Sequence, residues 1–165
     1  MLTHPPLRGS FPVILPFGGS PEVYANVNYG GVALRGHNGI DFQTPVGTPV
    51  QAVQDGNVLE FSTVPNTGFG RYILLQHEWG HTLYAHLSQV AVHAGQRVSG
   101  GQQIGLTGNS GSSSGAHLHF GLRVAPFSLS DGWAGYLDPE PCLHITPRPP
   151  LGPRCQHVSY LSGNV

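Results

Sequence analysis

Two imidazoles spaced two residues apart, His117-Leu118-His119 within Gly115–Leu122, are the side chains of this sequence best placed to do chemistry. Read as a strand, the stretch alternates: Ala116, Leu118, Phe120 and Leu122 turn to one face, and His117, His119 and Arg123 to the other. Both histidines then open into one space, which suits a metal ligand standing beside an acid–base group. A second candidate pair lies in Gly36-His37-Asn38-Gly39-Ile40-Asp41-Phe42. Fully extended, His37 and Asp41 would stand about 13 Å apart at roughly 3.3 Å per residue, too far to share an ion comfortably. Asn38-Gly39 is a strong turn signal, and a bend there brings the His37 imidazole back toward the Asp41 carboxylate.

Three ligands drawn from His37, Asp41 and one of the two strand histidines leave one coordination position open, the pattern of a catalytic zinc site as opposed to a closed structural one. Two neutral imidazoles and a carboxylate suit zinc. Calcium and magnesium want an oxygen shell that four aspartates and four glutamates scattered along the chain do not obviously supply. Manganese, cobalt or nickel could occupy the same donors in vitro.

In Thr82-Leu83-Tyr84-Ala85-His86-Leu87-Ser88 the apolar Leu83, Ala85 and Leu87 alternate with Thr82, Tyr84 and His86, so a strand reading aims His86 away from the core. On these residues the chain resembles the lysostaphin-like (LytM-type, M23) zinc metallopeptidases, which cleave peptide bonds of bacterial peptidoglycan. The matching motifs are His37-x-x-x-Asp41, Tyr84-Ala85-His86-Leu87-Ser88, and His117-x-His119 preceded by Gly108-Asn109-Ser110-Gly111 and followed by Phe120. Pro16-Phe17-Gly18 looks like the family's opening strand. Gly47–Val50 with Ala52–Gly56 looks like its next hairpin, followed by Gly68-Phe69-Gly70. Val92–Gly105 matches its later strand and turn pattern, and Asp138-Pro139 its closing segment. Two departures are mild: Ala116 stands where proline is frequent, and Gly121 where a glutamate often follows Phe120.

The resemblance implies that His37, Asp41 and His119 bind one Zn2+ per chain, that His86 and His117 flank the open position as the catalytic pair, and that the substrate is a peptidoglycan peptide. A tyrosine that some members place upstream of the first ligand corresponds to Tyr24 or Tyr29. It further implies an all-β fold, a single domain of antiparallel sheets with little helix, related to the barrel-sandwich hybrid. Two rival classes are weighed against it. Lipoyl- and biotinyl-carrier modules share the valine and glycine spacing but attach their cofactor to lysine, and this chain has none. A catalytically silent LytM-type module, binding the wall or activating a partner, commonly lacks one or more ligands, whereas all are present here.

The elements that must position these groups are short. The 24 glycines and 15 prolines in 165 residues punctuate the chain at close intervals, as in an all-β domain, and no run sustains a 3.6-residue period. Residues 1–143 are expected to form the peptidase domain with a short N-terminal extension, and 144–165 a proline-rich tail in which Pro147–Pro153 is not regular structure. Ser112-Ser113-Ser114 is expected to overhang the site. His77 is expected to be structural. His81, by its parity with Leu83 and Ala85, is expected to point away from the site, and His4, His93, His144 and His157 to be solvated. Cys142 and Cys155 would form a disulfide in an oxidising compartment and stay as thiols in a reducing one. A net charge of −1 offers no basic stripe for nucleic acid. No apolar run approaches the ~18 residues of a membrane span, and the N-terminus lacks the pattern of a secretory signal. A monomer acting at the bacterial cell wall is the expected setting.

Overall fold

Glycines and prolines cut the chain into short extended runs, and the structure, a computed structural model describing residues 2–143, pairs nearly all of these runs antiparallel. In chain order the strands are β1 (Val13–Leu15), β2 (Asn28–Tyr29), β3 (Val32–Ala33), β4 (Ile40–Gln43), β5 (Pro49–Gln51), β6 (Gly56–Ser62), β7 (Arg71–His77), β8 (Gly80–Val90), β9 (Arg97–Val98), β10 (Gln103–Thr107) and β11 (His117–Val124). Two four-residue helices, α1 (Pro21–Tyr24) and α2 (Glu140–Leu143), complete the described elements. The main sheet runs β1-β4-β11-β8-β7-β6-β9, with β10 bonded to β8 and β5 bonded to β10, while β2 and β3 form a separate hairpin. This is the expected single antiparallel β domain with little helix. No described helix is long and apolar enough to cross a membrane. The tail 144–165, with His144, His157 and Cys155, lies outside the described residues.

Alternation along the central strands sorts the side chains into two layers. Ile40 and Phe42 of β4, Leu118, Phe120 and Leu122 of β11, and Ile73 and Leu75 of β7 enter the main core, and all but Phe42 are wholly enclosed. Truncating Phe120 to alanine there is expected to cost about 3–5 kcal/mol. Residues of the opposite parity, Leu74, Leu83 and Ala85, join Leu34, Ala134 and Tyr136 in a second apolar cluster on the other face, where the candidate ligands also lie.

Three local expectations are corrected. Pro16-Phe17-Gly18 is not the opening strand: that strand is β1, and Phe17-Gly18 turns directly after it, since Pro16 has no N–H to extend the ladder and Gly18 takes φ 76°. Gly47–Val50 and Ala52–Gly56 do not form a hairpin. The Ala52 N–H and C=O are taken by Gln102 and Gly101, so β5 pairs with β10 while β6 pairs with β7 and β9.

The third correction concerns β8, which does not alternate through its whole length. Arg71 of β7 faces Leu87 but Ile73 faces Tyr84, so Ala85 and His86 together oppose one residue. The extra residue is a bulge, and His86 takes φ 61°. Parity flips across it, so Tyr84 before the bulge and Leu87 after it both enter the main core. Tyr84 therefore does not share a face with His86. It is fully enclosed, packs against Phe120, and its hydroxyl accepts from the Val53 N–H and the Thr82 hydroxyl. The bulge also marks a change of partner: β8 pairs with β11 through Ala85 and with β10 from Leu87 onward.

Candidate metal centre and groove

Asp41 and His119 are direct cross-strand partners in β4 and β11, so the pleat that buries Ile40, Phe42, Leu118 and Phe120 sets this carboxylate and imidazole side by side on the opposite face. His37 arrives from the bend at Asn38-Gly39, as the turn signal required. Its N–H donates to the Gly19 carbonyl and its carbonyl accepts from Gly18, which fixes the approach. Gly39 does more than permit a turn: a Cβ there would lie 2.5 Å from His119 Cε1 and 2.7 Å from the Phe120 carbonyl oxygen.

The three side chains meet almost as an equilateral triangle. His37 Nε2 is 2.9 Å from His119 Nδ1 and 3.1 Å from Asp41 Oδ1, and His119 Nδ1 is 3.0 Å from Asp41 Oδ1. His37 Nδ1 lies 3.1 Å from the Pro16 carbonyl and donates to it, which leaves a lone pair on Nε2. That lone pair faces a carboxylate oxygen with no proton to place between them, an arrangement that a cation resolves. Donor spacings near 3 Å are close to the ~3.3 Å edge of a tetrahedron with ~2.0–2.1 Å bonds to zinc. The donor set therefore fits a metal ion, and this is the group of the described residues able to hold one.

Burial by itself pushes the Asp41 carboxyl up, but hydrogen bonds and charge from His119 and His37 outweigh it and hold the group well below the usual carboxylate range. Burial pushes the His119 imidazole down, against the pull of Asp41. His86, enclosed and close to His119, is pushed down to about 4.

His86 and His117 stand beside the triangle with ring centroids 4.6 Å apart. His86 Nδ1 donates to the Ser110 carbonyl at 2.7 Å, and His117 Nδ1 to the Gly115 carbonyl at 2.8 Å, so both rings present Nε2 to the same space. His117 Nε2 reaches within 3.7 Å of Asp41 Oδ2. The Ser110 carbonyl is held by two close-packed glycine segments: a Cβ on Gly70 would lie 2.5 Å from Ser110 and Gly111 backbone atoms. The Ser110 hydroxyl donates to the Leu87 carbonyl and accepts from the Arg71 N–H. Neither this support nor the Pro16 carbonyl was signalled by residue type.

A groove passes over the cluster in two arms. One, about 350 Å³, is apolar, walled by Val27, Tyr29, Leu34 and Phe69. The other, about 440 Å³, is hydroxyl-rich, with Ser20 and the expected overhanging loop Ser112–Ser114. Val23, Tyr24, His86, Ser112 and His119 line both arms. Tyr24 sits 5.4 Å from the His37 ring, and burial together with the charge of Asp41 pushes its phenol up to about 12. Tyr29 lies farther along the apolar arm and bonds Arg123.

His77 has both ring nitrogens engaged, by the Asp55 carbonyl and the Thr82 hydroxyl, and stacks on Trp79 at 4.6 Å, in keeping with a structural residue. His4 and His93 are exposed as expected. His81 corrects its expectation: opposite Arg123 in the β8–β11 ladder, it shares the face of His119, because the bulge and not the parity of Leu83 and Ala85 governs His86.

Fold and cluster together define an antiparallel β protein with an open three-donor site able to hold a metal ion. Residues 35–131 match peptidase family M23, and the chain belongs to that family. The peptidoglycan DD-endopeptidase ShyA of Vibrio cholerae is 47% identical over 89 residues, which is 53% of this chain and 20% of that protein. The glycyl-glycine endopeptidase ALE-1 of Staphylococcus capitis is 38% identical over 114 residues, 68% of this chain and 30% of that protein. The chain thus spans less than a third of the length of either relative. The catalytic domain of lysostaphin from Staphylococcus simulans superposes with a TM-score of 0.64 at 32% identity, covering 81% of this chain and 92% of that domain. A zinc-containing peptidase from Vibrio cholerae superposes with the same TM-score at 30% identity, over 90% of this chain and 40% of that protein.

Proposed function

We propose that this chain is a zinc-dependent endopeptidase that hydrolyses peptide cross-links or stem peptides of bacterial peptidoglycan at the cell wall, and that residues 1–143 are its peptidase domain. The observation that carries the reading is the convergence of His37 Nε2, Asp41 Oδ1 and His119 Nδ1 beside two more imidazoles in an open groove. One relative is named for DD-peptide bonds and one for glycyl-glycine bonds, and the groove opens over the cluster in two arms that share Tyr24, His86 and His119.

His37, Asp41 and His119 are assigned as ligands of one zinc ion. When bound, zinc polarises a carbonyl and lowers the pKa of a coordinated water to about 7. His86 and His117 are assigned as the proton-handling pair. One accepts a proton at Nε2 from the attacking water as its oxygen adds to the scissile carbonyl carbon, then returns a proton to the leaving amine as the C–N bond breaks. The other, once it carries a proton at Nε2, donates it in a hydrogen bond to the oxyanion of the tetrahedral intermediate. The Ser110 and Gly115 carbonyls fix the ring orientation that both tasks need. Tyr24, beside His37, is in reach of the same region of the groove.

Metal analysis of the purified chain should find one zinc per molecule. Incubation with sacculi of both wall types should release new amines, and mass spectrometry should identify the bond cut. A protein that neither contains nor takes up zinc would leave a wall-binding module. Intact sacculi of every type alongside cleavage of an unrelated peptide would overturn the substrate class.

A further inference from the structure

Arg123 is a buried cation for which the described residues supply no anionic partner. It is 6% exposed, and among the described residues no carboxylate lies within ion-pair distance of it. Among the same residues its Nε finds no hydrogen-bond partner. The guanidinium instead lies over the Tyr136 ring at 4.0 Å, with the Phe127 and Tyr29 rings at 5.5 and 5.7 Å, and its Nη2 donates to the Tyr29 hydroxyl at 3.3 Å. Gly121 makes room for this cage, since a Cβ there would lie 2.7 Å from Tyr136 Cε1. Any side chain at that position would collide with the ring on which Arg123 rests.

An apolar residue could fill this position without the cost of enclosing a charge, so packing alone does not account for a guanidinium. What it adds is a directed donor, aimed at the β2–β3 hairpin. That hairpin stands outside the main sheet and turns at Gly30-Gly31, around which a side chain would meet open space. Between Pro21 and Ala33 only Tyr24, Tyr29 and Val32 are partly covered, and the rest is exposed. Tyr29 carries the tether onward: its ring lies 6.2 Å from Phe69, whose ring is 5.4 Å from His119. Both aromatic rings wall the apolar arm of the groove.

We propose that Arg123 is a positioning residue which, through Tyr29, holds the Asn28–Ala33 hairpin as the fixed wall of the apolar arm. The kinetic part of this proposal rests on the peptidase reading; the tether itself does not. Two variants test it in zinc-loaded protein: Arg123→Met, which keeps the volume but removes the donor and the charge, and Tyr29→Phe, which removes one hydroxyl from a partly exposed hairpin and leaves the fold intact. Hydrogen exchange of the 27–34 amides should accelerate about fivefold in both, with exchange in β8 and β11 unchanged. KM for the cleaved cross-link should rise about fivefold while kcat stays within about twofold and zinc content is unaltered, a split that general destabilisation does not produce. Arg123→Lys should fail to rescue, because an ammonium cannot lie flat on Tyr136 and donate to Tyr29 at once. Wild-type exchange at 27–34 in both variants, or kcat falling in step with zinc content at constant KM, would overturn the proposal. Should the wild-type chain cut no sacculus at all, the peptidase reading falls, and accelerated exchange alone then upholds the tether.

Discussion

Replacing Gly39 by alanine adds one methyl group where the Asn38-Gly39 bend lies against His119 of the candidate metal centre. Gly39 does not use the left-handed backbone region, so alanine meets no dihedral penalty and the whole effect is steric. The new Cβ would lie 2.5 Å from His119 Cε1, 2.7 Å from His119 Nε2 and 2.7 Å from the Phe120 carbonyl oxygen. The carbonyl belongs to the β4–β11 ladder and cannot retreat without opening it, so the imidazole must move. Restoring a contact of 3.4 Å from 2.5 Å displaces the ring edge by 0.9 Å. Ligand distances in a working site hold within about 0.2 Å, and even indirect disturbance of ligand orientation weakens metal affinity about 10–100-fold. A loss of that size, about 1.4–2.8 kcal/mol of binding, should appear in competition titrations against a chromogenic chelator. Gly115→Ala is the matched control, since its Cβ meets nothing within 4 Å. Wild-type zinc affinity in Gly39→Ala would refute the steric account.

Asp41→Asn and His119→Ala should lose bound zinc and turnover together, whereas His86→Ala and His117→Ala should keep zinc and lose about 10²–10⁴-fold in kcat, checked by paired metal analysis and sacculus assays. Stripping zinc with a chelator should lower the melting temperature, and readdition should restore it, because an ion bound to the folded chain alone stabilises it by mass action. The stability of His77→Gln should depend less on pH than that of the parent. Burial lowers the folded His77 pKa below its unfolded value of 6.5, so its contribution is complete above pH 6.5 and fades as pH falls through the folded value. The gap between parent and variant in denaturant melts should therefore close with acidification, by up to about 1.4 kcal/mol per pH unit. A constant gap from pH 7.5 to 5 would contradict that account.

What could be read from residue types was whatever depends on alternation or on a turn dipeptide. The face of His117 and His119 follows from the apolar Leu118 and Phe120, and the return of His37 to Asp41 follows from Asn38-Gly39. Tyr84-Ala85-His86-Leu87 misled because a bulge leaves no mark in a smooth alternating pattern. One extra residue moved Tyr84 into the core and put His81 on the face of His119. The groups that orient the imidazoles were hidden for another reason: the Pro16, Ser110 and Gly115 carbonyls are backbone atoms, which every residue possesses. The steric duty of Gly39 is likewise invisible until His119 is seen lying against it.

The slip between β7 and β8 makes this candidate centre sensitive to chain length as well as to composition. Ala85 is wholly buried opposite His119, and excising it would restore an unbroken pleat and carry His86 off its mark. Insertions should be tolerated at the Gly30-Gly31 tip, where an added side chain would meet open space, and a library of length variants should survive there while being purged from the middle of β8.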